Sequence, residues 1–130
     1  AANLGEIPPQ ELPGYLAHDV SVALRYFPDG SDPKAAEAFG ADRMREGDTV
    51  GKLCATQGMG QPNLPRFMQR ITNPTLVVWG VEDRILPASQ APLWIEALPN
   101  AQLLTVDTVG HLIAQESPET MTKIGDFLAA

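Results

Sequence analysis

An α/β fold, with parallel strands flanked by helices, is predicted for this 130-residue chain by three features. Thr75-Leu76-Val77-Val78-Trp79 is continuously apolar and β-branched, the pattern of a strand covered on both faces. Leu103-Leu104-Thr105-Val106 reads as a second strand. Between them Ala91, Trp94, Ile95 and Leu98 recur at helical spacing, and strand, helix, strand in that order makes a parallel crossover.

Taken in order, residues 1–14 hold Gly5, Pro8, Pro9, Pro13 and Gly14 and read as an extended lead-in, because proline removes a backbone donor and fixes φ. From Tyr15 to Phe27 two periods compete. Val20, Val22, Leu24 and Tyr26 alternate as in a strand, while Leu16, Val20, Ala23 or Leu24, and Phe27 lie on one helical face, and the longer helical pattern is preferred. Pro28-Asp29-Gly30-Ser31 makes a turn, and Asp32-Pro33 is an N-cap with proline at the first helical position. A helix follows to about Arg45, with Ala36, Phe39 and Met44 inward, and a third short helix starts at Asp48 with Val50, Leu53 and Cys54 apolar. Gly58-Met59-Gly60-Gln61-Pro62 ends it and marks the clearest boundary in the chain.

Asn63 to Ile71 predicts a short helix stopped by Thr72-Asn73-Pro74, since the residue before proline is pushed out of the helical region. The first strand, Gly80-Val81-Glu82-Asp83 as a turn, the helix Ala88–Leu98 and the second strand come next. Ser117-Pro118-Glu119 then opens a last helix whose inner face is Met121, Ile124, Phe127 and Leu128. The domain reading is a helical region over residues 1–62 and a strand-containing region over 63–130.

With 44% hydrophobic and 19% charged residues, the composition is that of a soluble globular protein. Nine basic against sixteen acidic residues give a net charge of -7 with no basic cluster, which argues against nucleic acid as a partner. No apolar run approaches the roughly 20 residues that cross a bilayer, so no membrane partner is expected. A single cysteine, Cys54, excludes an internal disulfide and suits the cytoplasm. Cofactors gain no support: Gly58-Met59-Gly60 lacks the third glycine of a dinucleotide site, and His18 has no metal-ligand spacing with His111.

Two parallel strands do not make a stable sheet. The chain also begins at Ala1, without methionine, in a loop-like stretch. Either more polypeptide belongs with it, or the isolated chain borrows strands from a second copy as a homo-oligomer.

Strand, acid, helix, strand and histidine place Asp83 and His111 at one end of two neighbouring strands, the acid and base half of a nucleophilic triad. Glu82 is the rival acid, disfavoured by its offset and longer side chain. The run Pro74 to Gly80, Glu82-Asp83-Arg84 with Pro87, Leu98-Pro99-Asn100-Ala101, Gly110-His111, Glu116-Ser117-Pro118-Glu119 and Phe127-Leu128 resembles, in order and spacing, the last two strands and last two helices of an α/β-hydrolase. On that resemblance residues 63–130 are the C-terminal part of the hydrolase core, and residues 1–62 are a helical cap with its lead-in. Asn3-Leu4-Gly5 would follow the preceding strand of the core.

The resemblance implies that Asp83 orients His111 and that His111 serves a nucleophile as general base and then acid. No Gly-x-Ser-x-Gly elbow occurs: none of Ser21, Ser31, Ser89 or Ser117 is flanked by glycines two residues away on each side. Cys54 follows no strand and reads as a small buried hydrophobe. The expected function is therefore the cap and acid/histidine portion of a serine-type, esterase-like hydrolase of small apolar esters or related bonds. Tyr15, Tyr26, Phe27 and Phe39 are candidate pocket residues, and the chain is expected to be inactive by itself. Its expected partners are a small-molecule substrate and the N-terminal half of the same fold. The alternatives are a non-catalytic oligomerising module and a dehalogenase or epoxide hydrolase with an aspartate nucleophile elsewhere.

Overall fold

A computed structural model describes residues 7, 8, 10–27, 31–57 and 64–130, with Ala36, Arg43 and residues 50–57 described by backbone alone. Asn3-Leu4-Gly5, the turn at Pro28-Asp29-Gly30, the Gly58–Pro62 boundary and the side chain of Cys54 lie outside the described residues.

The N-terminal region forms α1 (Leu12–Leu16), α2 (Val20–Leu24) and α3 (Pro33–Gln57). After α4 (Leu64–Met68) the chain alternates: β1 (Thr75–Gly80), a 3-10 turn (Ala88–Gln90), α5 (Ala91–Ala97), β2 (Ala101–Val106), α6 (Ile113–Glu116) and α7 (Pro118–Ala129). β1 and β2 pair in parallel from Thr75 against Ala101 to Gly80 against Val106, so both strands release their chains at the same end of the sheet.

Side chains alternate across β1. Val77 and Trp79 face α4 and α5, where Met68, Ala91 and Leu98 close the core. Leu76 and Val78 face the other way, into a cleft of about 410 Å³ shared with Ile124, Phe127 and Leu128 of α7. A second cleft, of about 360 Å³, runs beside β1 between Met68, Ile71, Trp94 and Leu98. Both clefts flank the edge of β1 that no other strand pairs among the described residues. The strand expected to be covered on both faces is thus fully buried only at Val77, Trp79 and Gly80, while Leu76 and Val78 stay half-exposed.

Four large core side chains, Met68, Val77, Trp79 and Leu98, each contribute about 1.5–3 kcal/mol by burial.

Several local expectations give way to tertiary partners. The single helix read across Tyr15–Phe27 is two short ones, because Ala17 is extended (φ -138°, ψ 148°) and Asp19 caps α2, its carboxylate accepting from the Ser21 N–H at 2.9 Å. The proline-rich lead-in enters helix already at Leu12, with Pro13 in the first turn, where a missing N–H costs nothing.

Asp32 caps α3 as expected, accepting from the Lys34 and Ala35 N–H groups at 2.9 and 3.2 Å. The helix then runs on through Asp48 instead of restarting there, and Met44, expected inward, is 79% exposed. The inner face of α7 is Thr120, Ile124 and Phe127, while Met121 and Leu128 are exposed. Those inward positions follow the i, i+4, i+7 rule from the buried Thr120. Ser117 precedes this helix without capping it. Its hydroxyl donates to Glu119 at 2.6 Å and shares a 2.7 Å bond with Thr120, and both hydroxyl residues are buried.

Candidate active site

The site forms where β1 and β2 end together. Past Gly80 the chain turns with Val81 N–H donating to Val106 O at 3.0 Å and Glu82 N–H to Val109 O at 2.9 Å, which ties the acid loop to the chain leaving β2. Gly80 is required for this approach: a Cβ there would lie 2.2 Å from Gly110 O and 2.4 Å from Val109 O. Thr108, in the same connection, holds a φ of 58°, uncommon for a β-branched residue.

Asp83 is the organising side chain. Its Oδ1 accepts from the Ile85 and Leu86 N–H groups, both at 2.8 Å, and its Oδ2 lies 2.9 Å from His111 Nδ1. The carboxylate is 6% exposed and the imidazole 36%. Glu82, the rival acid, is exposed.

A carboxylate oxygen only accepts, so Nδ1 carries the hydrogen in this contact. In the neutral ring Nε2 then keeps its lone pair. One ring nitrogen is held and the other keeps its lone pair. Trp79 supports the acid loop from the core side, its indole N–H donating to Leu86 O at 2.8 Å.

The histidine loop is held from above by the N-terminal region. His111 and Leu112 N–H both donate to Leu16 O, at 2.9 and 3.0 Å. The extended conformation of Ala17 is what leaves that carbonyl outside α1. Gly110 packs directly under this segment, where a Cβ would come within 2.8 Å of His18 N and 3.0 Å of the Ala17 backbone. Arg84 adds a contact outside the strands: its Nη1 donates to Gly14 O at 3.2 Å and its guanidinium stacks 4.0 Å over the Tyr15 ring.

Asp83 and His111 are the sequence-predicted pair that the structure brings together. The predicted pocket aromatics are dispersed. Tyr15 lies against Arg84, Phe27 and Phe39 pack on each other at 5.5 Å, and Tyr26 is 55% exposed. Ser21 and Ser117 direct their hydroxyls to Asp19 and Glu119. Among the described residues no group of three or more His, Cys, Asp or Glu is placed to hold a metal ion. No described helix is long and apolar enough to cross a membrane.

Three contributors escape sequence reading. The Leu16 carbonyl and the Trp79 indole act on backbone groups, those of the histidine loop and of Leu86, which no side-chain pattern announces. Glu116 sits in the Glu116-Ser117-Pro118-Glu119 run, yet nothing in its spacing shows its carboxylate returning to Gly110.

No family model matches the chain. The uncharacterized hydrolase YugF of Bacillus subtilis (strain 168) is 35% identical over 65 residues, 49% of this chain and 24% of that protein. Monoacylglycerol lipase ABHD6 of Mus musculus is 34% identical over 69 residues, 52% of this chain and 20% of that protein. The matches thus span a quarter or less of these relatives. The crystal structure of MGS-MChE2, an α/β hydrolase enzyme from the metagenome of sediments of the Mar Chica lagoon, Morocco, superposes with a TM-score of 0.54 at 22% identity. It covers 71% of this chain and 42% of that one.

Proposed function

With the C-terminal portion of an α/β-hydrolase fold as its scaffold, this chain, we propose, supplies the acid and histidine of a serine-type hydrolase. The observation that carries the reading is the 2.9 Å contact between His111 Nδ1 and the buried Asp83 carboxylate. It orients the imidazole and leaves Nε2 able to accept a proton.

The serine would come from polypeptide other than these 130 residues, since no serine here stands in a Gly-x-Ser-x-Gly elbow. His111 Nε2 takes the serine hydroxyl proton as the oxygen bonds to the carbonyl carbon, and Asp83 stabilises the imidazolium that forms. The tetrahedral intermediate collapses when Nε2–H protonates the leaving alcohol. Water then repeats the sequence on the acyl-enzyme and restores serine and neutral imidazole.

Small, mostly apolar esters are the proposed substrate class. The acylglycerol ester named for the mouse relative falls within it, and the similarity to that protein supports the choice.

The chain alone should hydrolyse an activated short-chain ester no faster than free imidazole does. Fast turnover lost in His111→Ala would show that a nucleophile resides in these residues. In labelled protein the Nδ1–H proton of His111 should give a downfield resonance that Asp83→Asn abolishes. Persistence of that resonance in the variant would sink the proposed pair.

The unpaired edge of β1, with an apolar cleft on each face, favours a second reading beside the first. An extended segment bonded to that edge would cover Leu76, Val78 and Trp94 together. In a longer polypeptide the remainder of the fold would occupy it; in the isolated chain a second copy would.

A further inference from the structure

We propose that Glu116 is a positioning residue for His111, fixing the backbone that carries the imidazole and tying it to the turn where the N-terminal region docks. The proposal rests on the reading of Asp83 and His111 as an acid–base pair, and assigns the geometry of that pair to a third carboxylate that does not touch it.

Both oxygens of Glu116 are committed to backbone donors, one six residues away and the other 97 residues away in the chain. Oε2 accepts from Gly110 N–H at 2.7 Å, one residue before the histidine, and Oε1 accepts from Asp19 N–H at 2.8 Å. Distances this short are those of charge-assisted bonds, roughly twice as strong as neutral ones.

Neither donor has a helical partner. Gly110 lies in the irregular connection before α6, and Asp19 is the N-cap of α2, extended at φ -83° and ψ 98°. Without Glu116 the Gly110 N–H is left buried and unmatched.

Gly110 is confined on its other sides too. Gly80 meets its carbonyl, and the Ala17–His18 backbone covers its Cα. Those contacts limit where residue 110 can sit, but only hydrogen bonds set its orientation.

Glu116 supplies one of these, and the two N–H bonds to Leu16 O supply the next. His111 Cα is thereby located by the backbone, and Asp83 has only the imidazole ring to orient. Because Glu116 also grips Asp19, a displacement of the α1–α2 turn reaches the histidine loop through this carboxylate as well as through Leu16 O. That turn lies in the region read as a cap, so Glu116 is one point, beside Leu16 O, where movement of that region would register on the base.

The test uses the whole chain, labelled at backbone nitrogen and at the histidine rings. In wild-type protein the amide protons of Gly110 and Asp19 should both be protected from exchange, and an unprotected Asp19 amide would overturn the proposal without any variant. In Glu116→Gln one donor loses its acceptor, because the amide NH₂ replaces an accepting oxygen. Protection at Gly110 or Asp19 should fall roughly tenfold, the loss expected for one hydrogen bond. The His111 Nδ1–H resonance should broaden or vanish although Asp83 is intact. Thr120→Ala, which breaks the buried hydroxyl pair with Ser117, controls for general loosening and should leave that resonance in place.

If Glu116→Gln is folded and its His111 resonance matches wild type, Glu116 does not position the histidine. If wild-type protein shows no resonance that depends on Asp83, the acid–base reading fails instead. The two failures are therefore distinct.

Discussion

Gly80 and Gly110 meet backbone to backbone at the end of the sheet, so closely that a methyl group on Gly80 would sit 2.2 Å from the Gly110 carbonyl oxygen. One residue is the last of β1 and the other precedes His111. Their contact sets the separation between the loop that carries the acid and the loop that carries the histidine.

Gly80→Ala should therefore cost stability and site geometry together. The atoms it meets are backbone, which cannot rotate away, so overpacking of about 1–3 kcal/mol is expected. Urea unfolding would read the loss, and the His111 Nδ1–H resonance would read the separation of the loops. An alanine variant with wild-type stability would mean that the two loops can part freely.

Asp83→Asn and Asp83→Ala should differ. Asparagine keeps an oxygen for the Ile85 and Leu86 N–H groups but offers His111 a donor, so the loop survives and the imidazole adopts the other tautomer. Alanine also leaves those two N–H groups without their acceptor, at about 1–3 kcal/mol. Thermal unfolding with ring-nitrogen shifts would separate the cases. In a polypeptide that includes the nucleophile, the asparagine variant should lower kcat on the order of 10⁴-fold, as in comparable triads.

Trp79→Phe should loosen the acid loop from the core side. It leaves Leu86 O without the indole donor, a loss of about 1 kcal/mol. Faster amide exchange at Leu86, with β1 still protected, is the expected pattern. Uniform destabilisation of the whole sheet would assign Trp79 to packing alone.

Acid should weaken the fold through two exposed carboxylates. The Ser21 hydroxyl and then its N–H hold Asp19 below its ordinary value of 3.8, and the Ser117 hydroxyl and then the Glu119 N–H hold Glu119 below 4.5. Both folded values are depressed, so the stabilisation is complete above the unfolded values and is lost as pH falls through the folded ones. Melting temperature should drop below about pH 4.5 and do so less steeply in the Asp19→Asn, Glu119→Gln double variant. Equal slopes in the two proteins would contradict this.

The open β1 edge should make the isolated chain self-associate. Sedimentation should show dimers or larger species that weaken in Leu128→Glu, because Leu128 is 78% exposed and lines one of the flanking clefts. A monodisperse wild-type monomer at all concentrations would count against pairing through that edge.

Much of the α/β portion was legible without coordinates. Thr75–Trp79 and Leu103–Val106 read as strands because β-branched apolar runs serve little else, and β2 gained only Ala101 and Gln102. Asp83 and His111 were legible as a pair because parallel strands release their loops at one end. The N-terminal region was harder. The helical period across 15–27 is real in sequence, yet Ala17 leaves the helix so that Leu16 can accept two N–H bonds from the histidine loop. Tertiary hydrogen bonds outweighed local propensity there.

By itself, then, the sequence determined the order strand, helix, strand over residues 75–106, the parallel crossover and the two side chains at its open end. These follow from periodicity and chain direction, which are local. Only the tertiary structure decided that Gly80 and Gly110 must lack side chains, that Trp79 steadies the acid loop, and that Glu116 bridges Gly110 and Asp19. Each of these depends on a backbone N–H or carbonyl, and such a group is the same at every residue. Nothing in its identity reveals which partner it will meet until the segments are packed.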